Sequence, residues 1–442
     1  MVLWGDVQTA CACGAAILFV LLAQRRAAAS VTAATKSDRL STDVLSGVPA
    51  CVGCTPLVRV SSLSTLTGAE ILLKVESKNP GGSAKDRVAL RMIRDAVAKG
   101  LLRRDGIVVE GSSGSTGISL AVLSRALGYR CAVVLPDDTA AEKRSLLTAT
   151  GADVRVVPPA ASQSAAHYVN VARALANELN ATYGAGAAFY CNQFESASNA
   201  AAHYETTGPE IWAATRGHIS AFVMGAGTGG TLAGVGRFLR EAAAKAGSVH
   251  PLVVLADPPG SALFNRVAHG VAFAAQQAER TVRRHRTDTI VEGVGLDRVT
   301  TLFSQALPFI DGGVTVSDAE AVAMARFILL SDGLFIGPST AVHLVAAARV
   351  AATVAPPRGA GGEQAPPPAV IVTLLCDSGE RYLSRFWSPD FIAACGLEGA
   401  ALAGTAAAAA WTKAMSSGEP PALDTLDFLS WDATSMWRRS RT

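Results

Sequence analysis

One lysine stands where a helix is expected to begin, directly after a turn. The turn is the run 79–82, Asn-Pro-Gly-Gly, and apolar residues at helical spacing follow Lys85 as far as Leu101. A cation in the first turn of a helix meets the positive end of the helix dipole, which favours the neutral amine. A neutral amine can form a Schiff base with a carbonyl group, although an ordinary solvated lysine beside Asp86 would look the same.

A second stretch has the composition of an anion-binding loop. Residues 225–231, GAGTGGT, follow an apolar strand and open a helical pattern that runs to residue 246. Glycines let the backbone approach an anion closely, and a helix N-terminus supplies free N–H groups for a phosphate. The hydroxyls of Thr228 and Thr231 suit a phosphomonoester. Two other interpretations stay open: a dinucleotide loop with Asp257 as the ribose-binding acid, and a tight turn without a ligand.

Two further loops occupy equivalent positions. Residues 110–117, EGSSGSTG, lie between a strand and a helix, and their hydroxyls and amides form a neutral cradle for a small carboxylate. A capped helix start without a ligand would have a similar sequence. Residues 375–381, LCDSGER, end a later strand. Ligands of parallel sheets bind at the carboxyl ends of strands, so the joint occurrence of three such loops favours a composite site.

Composition limits the class of protein. The chain has 442 residues, of which 50% are hydrophobic and 17% charged, enough for two domains or one large α/β unit. The net charge is +3 and no basic stripe is interleaved with aromatic residues, so we expect no nucleic-acid partner. Eight cysteines are scattered along the chain. The lone pair Cys51 and Cys54 has no second pair or histidine cluster, so neither a metal site nor disulfides are predicted.

Strand and helix patterns alternate from about residue 55. Strands are predicted at 71–76, 107–110, 131–136, 154–157, 221–225, 252–256 and 370–375. Helices are predicted at 118–127, 139–150, 199–216, 230–246, 317–331 and 340–353. Such alternation is typical of parallel βαβ units with helices on the faces of the sheet. The predicted fold class is α/β.

Three segments differ from this pattern. Residues 7–23 carry no charge and precede Arg25 and Arg26, which predicts a single membrane anchor with the body of the protein on the cytosolic side. A helix buried against the globular body is the alternative for this segment. Residues 355–368 are rich in Pro and Gly and predict a disordered insertion. The chain after residue 397 has an Ala run and scattered Trp, and we expect a weakly ordered tail.

Nine segments together resemble the cysteine synthase and cystathionine β-synthase family, which are pyridoxal-phosphate enzymes of fold type II. They are TPLVRV (55–60), KVESKNPGGSAKDR (74–87), EGSSGSTG (110–117), NQFESASN (192–199), HYETTGPEIW (203–212), GAGTGGT (225–231), EGVG (292–295), GLFIGPSTA (333–341) and DSGERYLS (377–384). The resemblance covers about residues 45–390 in order. Three features look most like a mitochondrial cysteine synthase-like branch of fungi and relatives. They are the N-terminal anchor, the sequence SGSTG in the 110–117 loop and the sequence CDSG in the 375–381 loop.

The resemblance implies a fold of two three-layer α/β/α domains, similar to that of the tryptophan synthase β subunit, with the N-terminal anchor helix added. The implied parts are an anchor at 1–26, a linker at 27–44, a larger phosphate-binding domain at 45–78 plus 196–390, a smaller domain at 79–195, the insertion at 355–368 and a low-complexity tail at 397–442. Relatives of this kind are usually dimeric, so a homodimer is expected.

The resemblance also assigns roles at matching positions. Lys85 would hold pyridoxal 5'-phosphate covalently and serve as acid and base at the substrate's α-carbon. The cofactor phosphate would lie in a cradle formed by Gly227, Thr228, Gly229, Gly230 and Thr231. Ser378 would meet the pyridine nitrogen. The substrate carboxylate would be bound by Ser112, Ser113, Gly114, Thr116 and Gln193.

One position departs from the family pattern. The usual asparagine that contacts the cofactor's ring hydroxyl is Ser115 here, which offers a shorter reach and no amide. The resemblance implies synthesis of cysteine and acetate from O-acetylserine and sulfide, at a mitochondrial membrane, with the outer membrane favoured. A serine or threonine dehydratase or another β-eliminase is the enzymatic alternative. Ser115 also motivates a third possibility, a weakly catalytic, membrane-anchored sensor that binds the cofactor.

Overall fold

Short apolar segments form the strands of two separate sheets in the computed structural model, which describes residues 44–274, 289–354, 367–417, 423–429 and 436–438. The strands are β1 Leu57–Arg59, β2 Glu70–Val75, β3 Ile107–Gly111, β4 Arg130–Pro136, β5 Asp153–Val157, β6 Ala188–Tyr190, β7 Ala221–Gly225, β8 Leu252–Asp257, β9 Gly312–Thr315, β10 Val370–Leu375 and β11 Met436–Arg438. The described residues from Gly47 onward belong to one unit, which contains both sheets.

Helices connect most of these strands. The α-helices are α1 Ser61–Thr67, α2 Lys85–Ala98, α3 Ser115–Ala126, α4 Ala141–Ala149, α5 Tyr168–Tyr183, α6 Ala197–Ala202, α7 Gly208–Ala214, α8 Gly230–Ala246, α9 Leu263–His269, α10 Thr301–Ala306, α11 Asp318–Asp332, α12 Pro338–Val354, α13 Pro389–Ala394 and α14 Glu398–Ser417. Short 3-10 turns lie at Val48–Cys51, Glu76–Lys78, Leu307–Phe309, Gly379–Tyr382 and Leu423–Leu426.

Both sheets are built mainly from parallel strands. The larger sheet has the order β1-β2-β10-β7-β8-β9-β11, with only the edge strands β1 and β11 antiparallel to their neighbours. The smaller sheet has the order β5-β4-β3-β6 and is entirely parallel. The predicted α/β class with parallel sheets is therefore confirmed.

Helices cover both faces of each sheet, because alternate residues along a strand point to opposite sides. In β7, Ala221 and Val223 pack in one apolar cluster while Phe222 and Met224 pack in another. In the smaller sheet, Val108 and Val109 are divided between two clusters in the same way. The strands of the smaller sheet all lie between residues 107 and 190. The domain limits given above stay a prediction.

The seven predicted strands are confirmed to within one residue at each end. Those that sequence reasoning missed, β1, β6, β9 and β11, have only three or four residues, too few to show a period. Helix α5 was also missed, because its three asparagines are poor helix formers. The single helix predicted at 199–216 is interrupted by a π-helical turn at His203–Thr207. Pro209, two residues after this turn, has no N–H group to donate.

The expectation of a weakly ordered tail is wrong for residues 398–417, which form the 20-residue helix α14. Alanine is the strongest helix former, and its small side chain lets α14 pack closely on the body of the protein. Trp411 is only 7% exposed and belongs to the main apolar cluster. Gly404 approaches the backbone of Ala323 in α11, where a Cβ atom would meet the carbonyl oxygen.

Other predicted segments lie outside the described residues. These are the anchor at 1–26, nearly all of the linker and the insertion at 355–366. Within the described ranges, no helix combines the length and the apolar character that crossing a bilayer requires.

We expect Gly404→Ala to lower the free energy of unfolding by about 1–3 kcal/mol, because the added Cβ forces α14 away from α11. Chemical denaturation of the purified protein measures the change. Gly399→Ala is the matched control, since nothing lies within 4 Å of a Cβ at that position of the same helix. Equal stability of the two variants would contradict the close packing of α14.

Candidate active site

Lys85 is the first residue of α2, as the sequence predicts. The turn before it is closed by the Gly82 N–H, which donates to the Asn79 carbonyl oxygen at 2.8 Å, and Gly82 has a left-handed φ of +76°. The side chain is half-buried. Among the described residues, no hydrogen bond or ion pair involves the Lys85 Nζ atom, so its amine is available for chemistry.

A buried ion network holds this end of α2 in place. Arg87 pairs with Glu76 at 2.7 Å and with Glu210 at 2.7 Å. Lys74 completes the network, with its Nζ atom 2.6 Å from Glu210 Oε2. Burial acts to raise the pKa of Glu210, but Arg87 and Lys74 hold it at about 2, so this carboxylate stays charged. Lys74 is therefore committed to an ion pair, and Lys85 is not.

The Lys85 turn lies against the carboxyl end of β10. The Ala84 N–H donates to the Cys376 carbonyl oxygen at 3.1 Å, and Ser83 forms a backbone bridge with Asp377. Burial raises the pKa of Cys376 to about 12, and burial together with the charge of Lys85 lowers the pKa of His343 to about 4. Both side chains are therefore neutral near pH 7. The His343 Nε2 atom is buried without a partner in the described structure.

The loop between β7 and α8 is shaped to bind an anion. A Cβ atom on Gly227 would collide with the Gly293 carbonyl oxygen, and one on Gly229 would lie 2.6 Å from the Phe303 nitrogen. Gly229 also has a left-handed φ of +87°. No described group accepts a hydrogen bond from the N–H of Gly227, Thr228 or Gly229, and the first turn of α8 has no acidic residue. These donors fit a phosphate ester.

Side chains from neighbouring elements support the loop. Asn199 Nδ2 donates to Thr228 Oγ1 at 2.9 Å, and Thr300 Oγ1 donates to the Thr228 carbonyl oxygen at 2.7 Å. Thr231 Oγ1 lies 3.2 Å from His203 Nε2. Burial lowers the pKa of His203 far below its usual value, so a neutral ring faces the loop. Asn199 Oδ1 is buried without a partner among the described residues.

The second loop is held by its own hydroxyl groups and by Gln193. Ser112 Oγ accepts hydrogen bonds from the N–H groups of Gly114 at 3.3 Å and Gly117 at 3.2 Å. Thr116 Oγ1 donates to Gln193 Oε1 at 2.6 Å, and Gln193 Nε2 donates to the Gly111 carbonyl oxygen at 3.3 Å. The structure thus brings Ser112, Thr116 and Gln193 together, and their bonds shape the loop. Binding of a substrate carboxylate by these residues, Ser113 and Gly114 stays a prediction.

Ser115 connects this loop to the loop after β10 and, through Arg381, to the turn before Lys85. Its hydroxyl donates to Asp377 Oδ2 at 2.9 Å and accepts from Arg381 Nη1 at 3.2 Å. Arg381 Nη2 also donates to the carbonyl oxygen of Gly81, in the Lys85 turn. The Tyr382 hydroxyl donates to Asp377 Oδ2 at 2.9 Å. Sequence reasoning missed these roles of Asp377 and Arg381, because the partners are more than 260 residues apart in the chain.

Ser378 lies at the same strand end, but its hydroxyl accepts a hydrogen bond from the Glu380 N–H at 3.4 Å. It therefore caps a 3-10 turn, and its contact with a pyridine nitrogen stays a prediction. Ser339, to which sequence reasoning assigned no role, is 4% exposed and lies in the first turn of α12. The next residue, Thr340, accepts from the Cys376 N–H at 3.1 Å. The only signal for Ser339 was its motif, GLFIGPSTA.

The dinucleotide interpretation assigned Asp257 to a ribose. Asp257 is 1% exposed, and its Oδ2 atom accepts from the Phe264 N–H at 2.8 Å, at the start of α9. Burial raises its pKa to about 7. The side chain stabilises a helix start inside the protein, so it does not act as a ribose ligand.

Comparison with known proteins identifies the class to which this site belongs. The family model described as "Pyridoxal-phosphate dependent enzyme" matches residues 48–377. The chain therefore belongs to the pyridoxal-phosphate-dependent enzymes. The unpaired Lys85 amine and the anion cradle at the start of α8 fit the aldehyde and the phosphate of that cofactor.

The relatives narrow the class. Cysteine synthase 2 of Neurospora crassa is 48% identical over 357 residues, 80% of this chain and 75% of the relative. A Saccharomyces cerevisiae protein, provisionally named a mitochondrial cysteine synthase, is 48% identical over 77% of this chain and 84% of the relative. The solved structure of an O-ureido-L-serine synthase superposes with a TM-score of 0.62 at 31% identity, over 80% of this chain and all of the other. This chain belongs to the cysteine synthase family.

Glu110 gives the site a testable dependence on pH. Its carboxylate is fully buried and accepts from the N–H groups of Gly111 at 2.9 Å and Gln193 at 3.1 Å. Burial outweighs these bonds and raises its pKa from 4.5 to about 8. Between these values the folded state keeps a proton that the unfolded state releases. The contribution of Glu110 to stability is therefore complete below pH 4.5 and is lost as the pH rises to about 8.

We expect Glu110→Gln to be less stable at low pH but to lose less stability than wild type between pH 4.5 and 8. Between pH 4.5 and 8, wild type should lose at most about 5 kcal/mol more free energy of unfolding than the variant, at about 1.4 kcal/mol per pKa unit. Denaturant melts at several pH values measure it. Asp257 is left intact in the variant, so some slope remains. Parallel stability profiles for wild type and variant would contradict the assignment.

Proposed function

We propose that this protein is a cysteine synthase that catalyses β-replacement on O-acetylserine, with sulfide as the second substrate and cysteine and acetate as products. The observation that carries the proposal is the position of Lys85. Its unpaired amine lies at a helix start against the end of β10, beside the neutral side chains of Cys376 and His343. The family match and the cysteine synthase relatives support the same reaction.

Each loop has a separate task in this reaction. When bound, the cofactor would supply an electron sink for the substrate's α-carbon, which is the chemistry that allows acetate to leave the β-carbon. The Lys85 amine takes the α-proton and returns it after sulfide has added. The N–H groups of the 227–231 loop hold the phosphate. The 112–116 loop and Gln193 bind and orient the substrate carboxylate, and they exclude water while the substrate is reactive.

The partner of the pyridine nitrogen has two candidates. Ser378 is our prediction from the resemblance, but its hydroxyl caps the turn at Gly379–Tyr382. Ser339 is buried at the N-terminus of α12, next to the Thr340 that binds the Cys376 N–H. A neutral hydroxyl in either position leaves the ring partly electron-withdrawing, which suits elimination of a leaving group and disfavours transamination.

Two alternative functions give different products. A dehydratase or other β-eliminase would release pyruvate, and a sensor would bind the cofactor without turnover. Purified protein that lacks the first 40 residues, supplied with O-acetylserine and sulfide, should form cysteine in proportion to the sulfide consumed. Accumulation of pyruvate would favour the eliminase, and the absence of any product would favour the sensor.

We expect borohydride reduction to attach the cofactor irreversibly to Lys85, because no group in the described part of the chain competes for this amine. Peptide mass spectrometry of the reduced wild-type protein should find the added mass on the peptide that contains Lys85. Lys85→Ala should lose both that mass and all cysteine formation. Lys78→Ala is the control, because Lys78 is exposed and close in sequence. Labelling of Lys74 or Lys78 in the wild-type protein would refute the assignment.

Paired alanine variants decide between the two serines. If Ser378 meets the pyridine nitrogen, Ser378→Ala should lower kcat about 10²-fold and shift the absorption of the bound cofactor, while Ser339→Ala should keep both close to wild type. The reverse result would assign the role to Ser339. The visible spectrum of each purified variant and its rate of cysteine formation provide the two measurements.

We also propose that residues 7–23 anchor the protein in a mitochondrial membrane, the outer membrane being favoured, with the catalytic body in the cytosol. The uncharged apolar run and the basic residues that follow it support the anchor. The name of the Saccharomyces cerevisiae relative supports the organelle. We propose a homodimer because relatives in this family are usually dimeric. Alkaline extraction of isolated mitochondria and sedimentation of the purified protein test these two proposals.

A further inference from the structure

A buried lysine that has no role in the proposed reaction lies against the 112–117 loop. Lys143, on α4, is 3% exposed, and its Nζ atom is 2.5 Å from Glu292 Oε2. The ammonium group also lies 4.1 Å from the centroid of the Tyr382 ring, within the range of a cation–π interaction. A Cβ atom on Gly114 would lie 3.4 Å from the Lys143 Cδ atom, so the lysine stem contacts the loop backbone.

These contacts connect the two sheets at the site. Lys143 lies on α4, between β4 and β5 of the smaller sheet. Glu292 lies between β8 and β9 of the larger sheet, and Tyr382 follows β10. Arg385 Nη1 donates to Glu292 Oε1 at 3.2 Å and to the Asp138 carbonyl oxygen at 3.2 Å. The carboxylate of Glu292 therefore receives one cation from each side of the contact.

A chain of hydrogen bonds through Asp377 also connects Tyr382 to the 112–117 loop. Tyr382, whose ring faces Lys143, donates its hydroxyl proton to Asp377 Oδ2. Asp377 Oδ2 also accepts from Ser115, one residue after Gly114. The loop thus contacts the Lys143 stem at Gly114 and binds Asp377 through the Ser115 hydroxyl. Tyr382 and Asp377 both follow β10.

Stability alone does not account for a buried lysine at this point. Removing an ammonium group from water is costly, and a well-packed apolar pair of similar volume is often as stable as a buried ion pair. An ion pair differs from an apolar pair in direction, because it fixes the position of Lys143 relative to Glu292. That fixed position is what a loop needs if it is to hold a carboxylate in one orientation.

We propose that Lys143 is a positioning residue, which through its ion pair with Glu292 holds the 112–117 loop in the conformation that binds the substrate carboxylate. The proposal rests on the function proposed above. It predicts a loss in binding of the amino-acid substrate, with little change in the steps that follow, because Lys143 contacts the loop backbone at Gly114 and has no part in the proposed proton transfer.

Lys143→Met keeps the length of the side chain and removes the charge. We expect it to raise the KM for O-acetylserine about tenfold, which is about 1.4 kcal/mol of lost binding, with kcat within about threefold of wild type. Lys143→Arg keeps a cation for Glu292 and should recover most of the loss. Arg130→Met is the matched control. Arg130 forms an exposed ion pair with Asp153 at 2.9 Å, and these residues lie in β4 and β5, the strands that α4 connects.

Two measurements do not depend on turnover. Amide hydrogen exchange at residues 111–117 of the cofactor-loaded protein should be faster in Lys143→Met than in wild type and in Arg130→Met. Titration with L-alanine, an amino acid without a leaving group, should change the cofactor absorption at higher concentrations in Lys143→Met. Glu292→Gln should reproduce both effects, and it tests the ion pair independently if Lys143→Met does not fold.

Unchanged loop exchange and unchanged L-alanine binding in folded Lys143→Met or Glu292→Gln would overturn the proposal. So would a fall in kcat with KM unaffected. If the wild-type protein forms no cysteine, the proposed function fails, but the exchange and L-alanine experiments still decide whether Lys143 positions the loop. The two failures are therefore distinguishable.

Discussion

The site depends on one constraint: Lys85, at the start of α2, has no ion-pair partner among the described residues, while its charged neighbours are held in buried ion pairs. Arg87, two residues further along α2, pairs with Glu76 and Glu210 inside the protein. Removing one partner from a buried pair of this kind typically costs about 3–5 kcal/mol, so the first turn of α2 cannot move easily. Lys74 forms an ion pair with the same Glu210. The network therefore fixes the position of Lys85 without supplying it with a counter-ion.

The remaining parts of the site are loops at the carboxyl ends of strands, and the two sheets contribute different ones. The larger sheet provides the anion cradle after β7 and the Asp377 loop after β10. The smaller sheet provides the loop after β3, which binds to Asp377 through Ser115. Close backbone approach makes the cradle possible, since a side chain on Gly227 or Gly229 would collide with the neighbouring backbone.

Ser115 shows how a departure from a family pattern is accommodated. The hydroxyl group has one proton and two lone pairs, and it uses them on Asp377 and Arg381. Both partners lie in the loop after β10, and Arg381 also reaches the carbonyl oxygen of Gly81. The serine thus serves as a junction between loops. This arrangement gives the loop a fixed structure before any substrate is present.

The sequence by itself determined the α/β class, the long strands and the helix start near Lys85, and it predicted an anion cradle at residues 225–231. Each of these depends on local period, on glycine geometry or on a helix end, which short segments contain. Only the tertiary structure decided the pairing of Ser115 with Asp377, the burial of Lys143 and the folding of residues 398–417 into helix α14. These depend on residues far apart in the chain, whose meeting is fixed by how the two sheets pack. For the same reason, the position of Lys85 at a helix start was enough to propose it as the Schiff-base lysine. The ion pair of Lys74 with Glu210 became visible only in the folded protein.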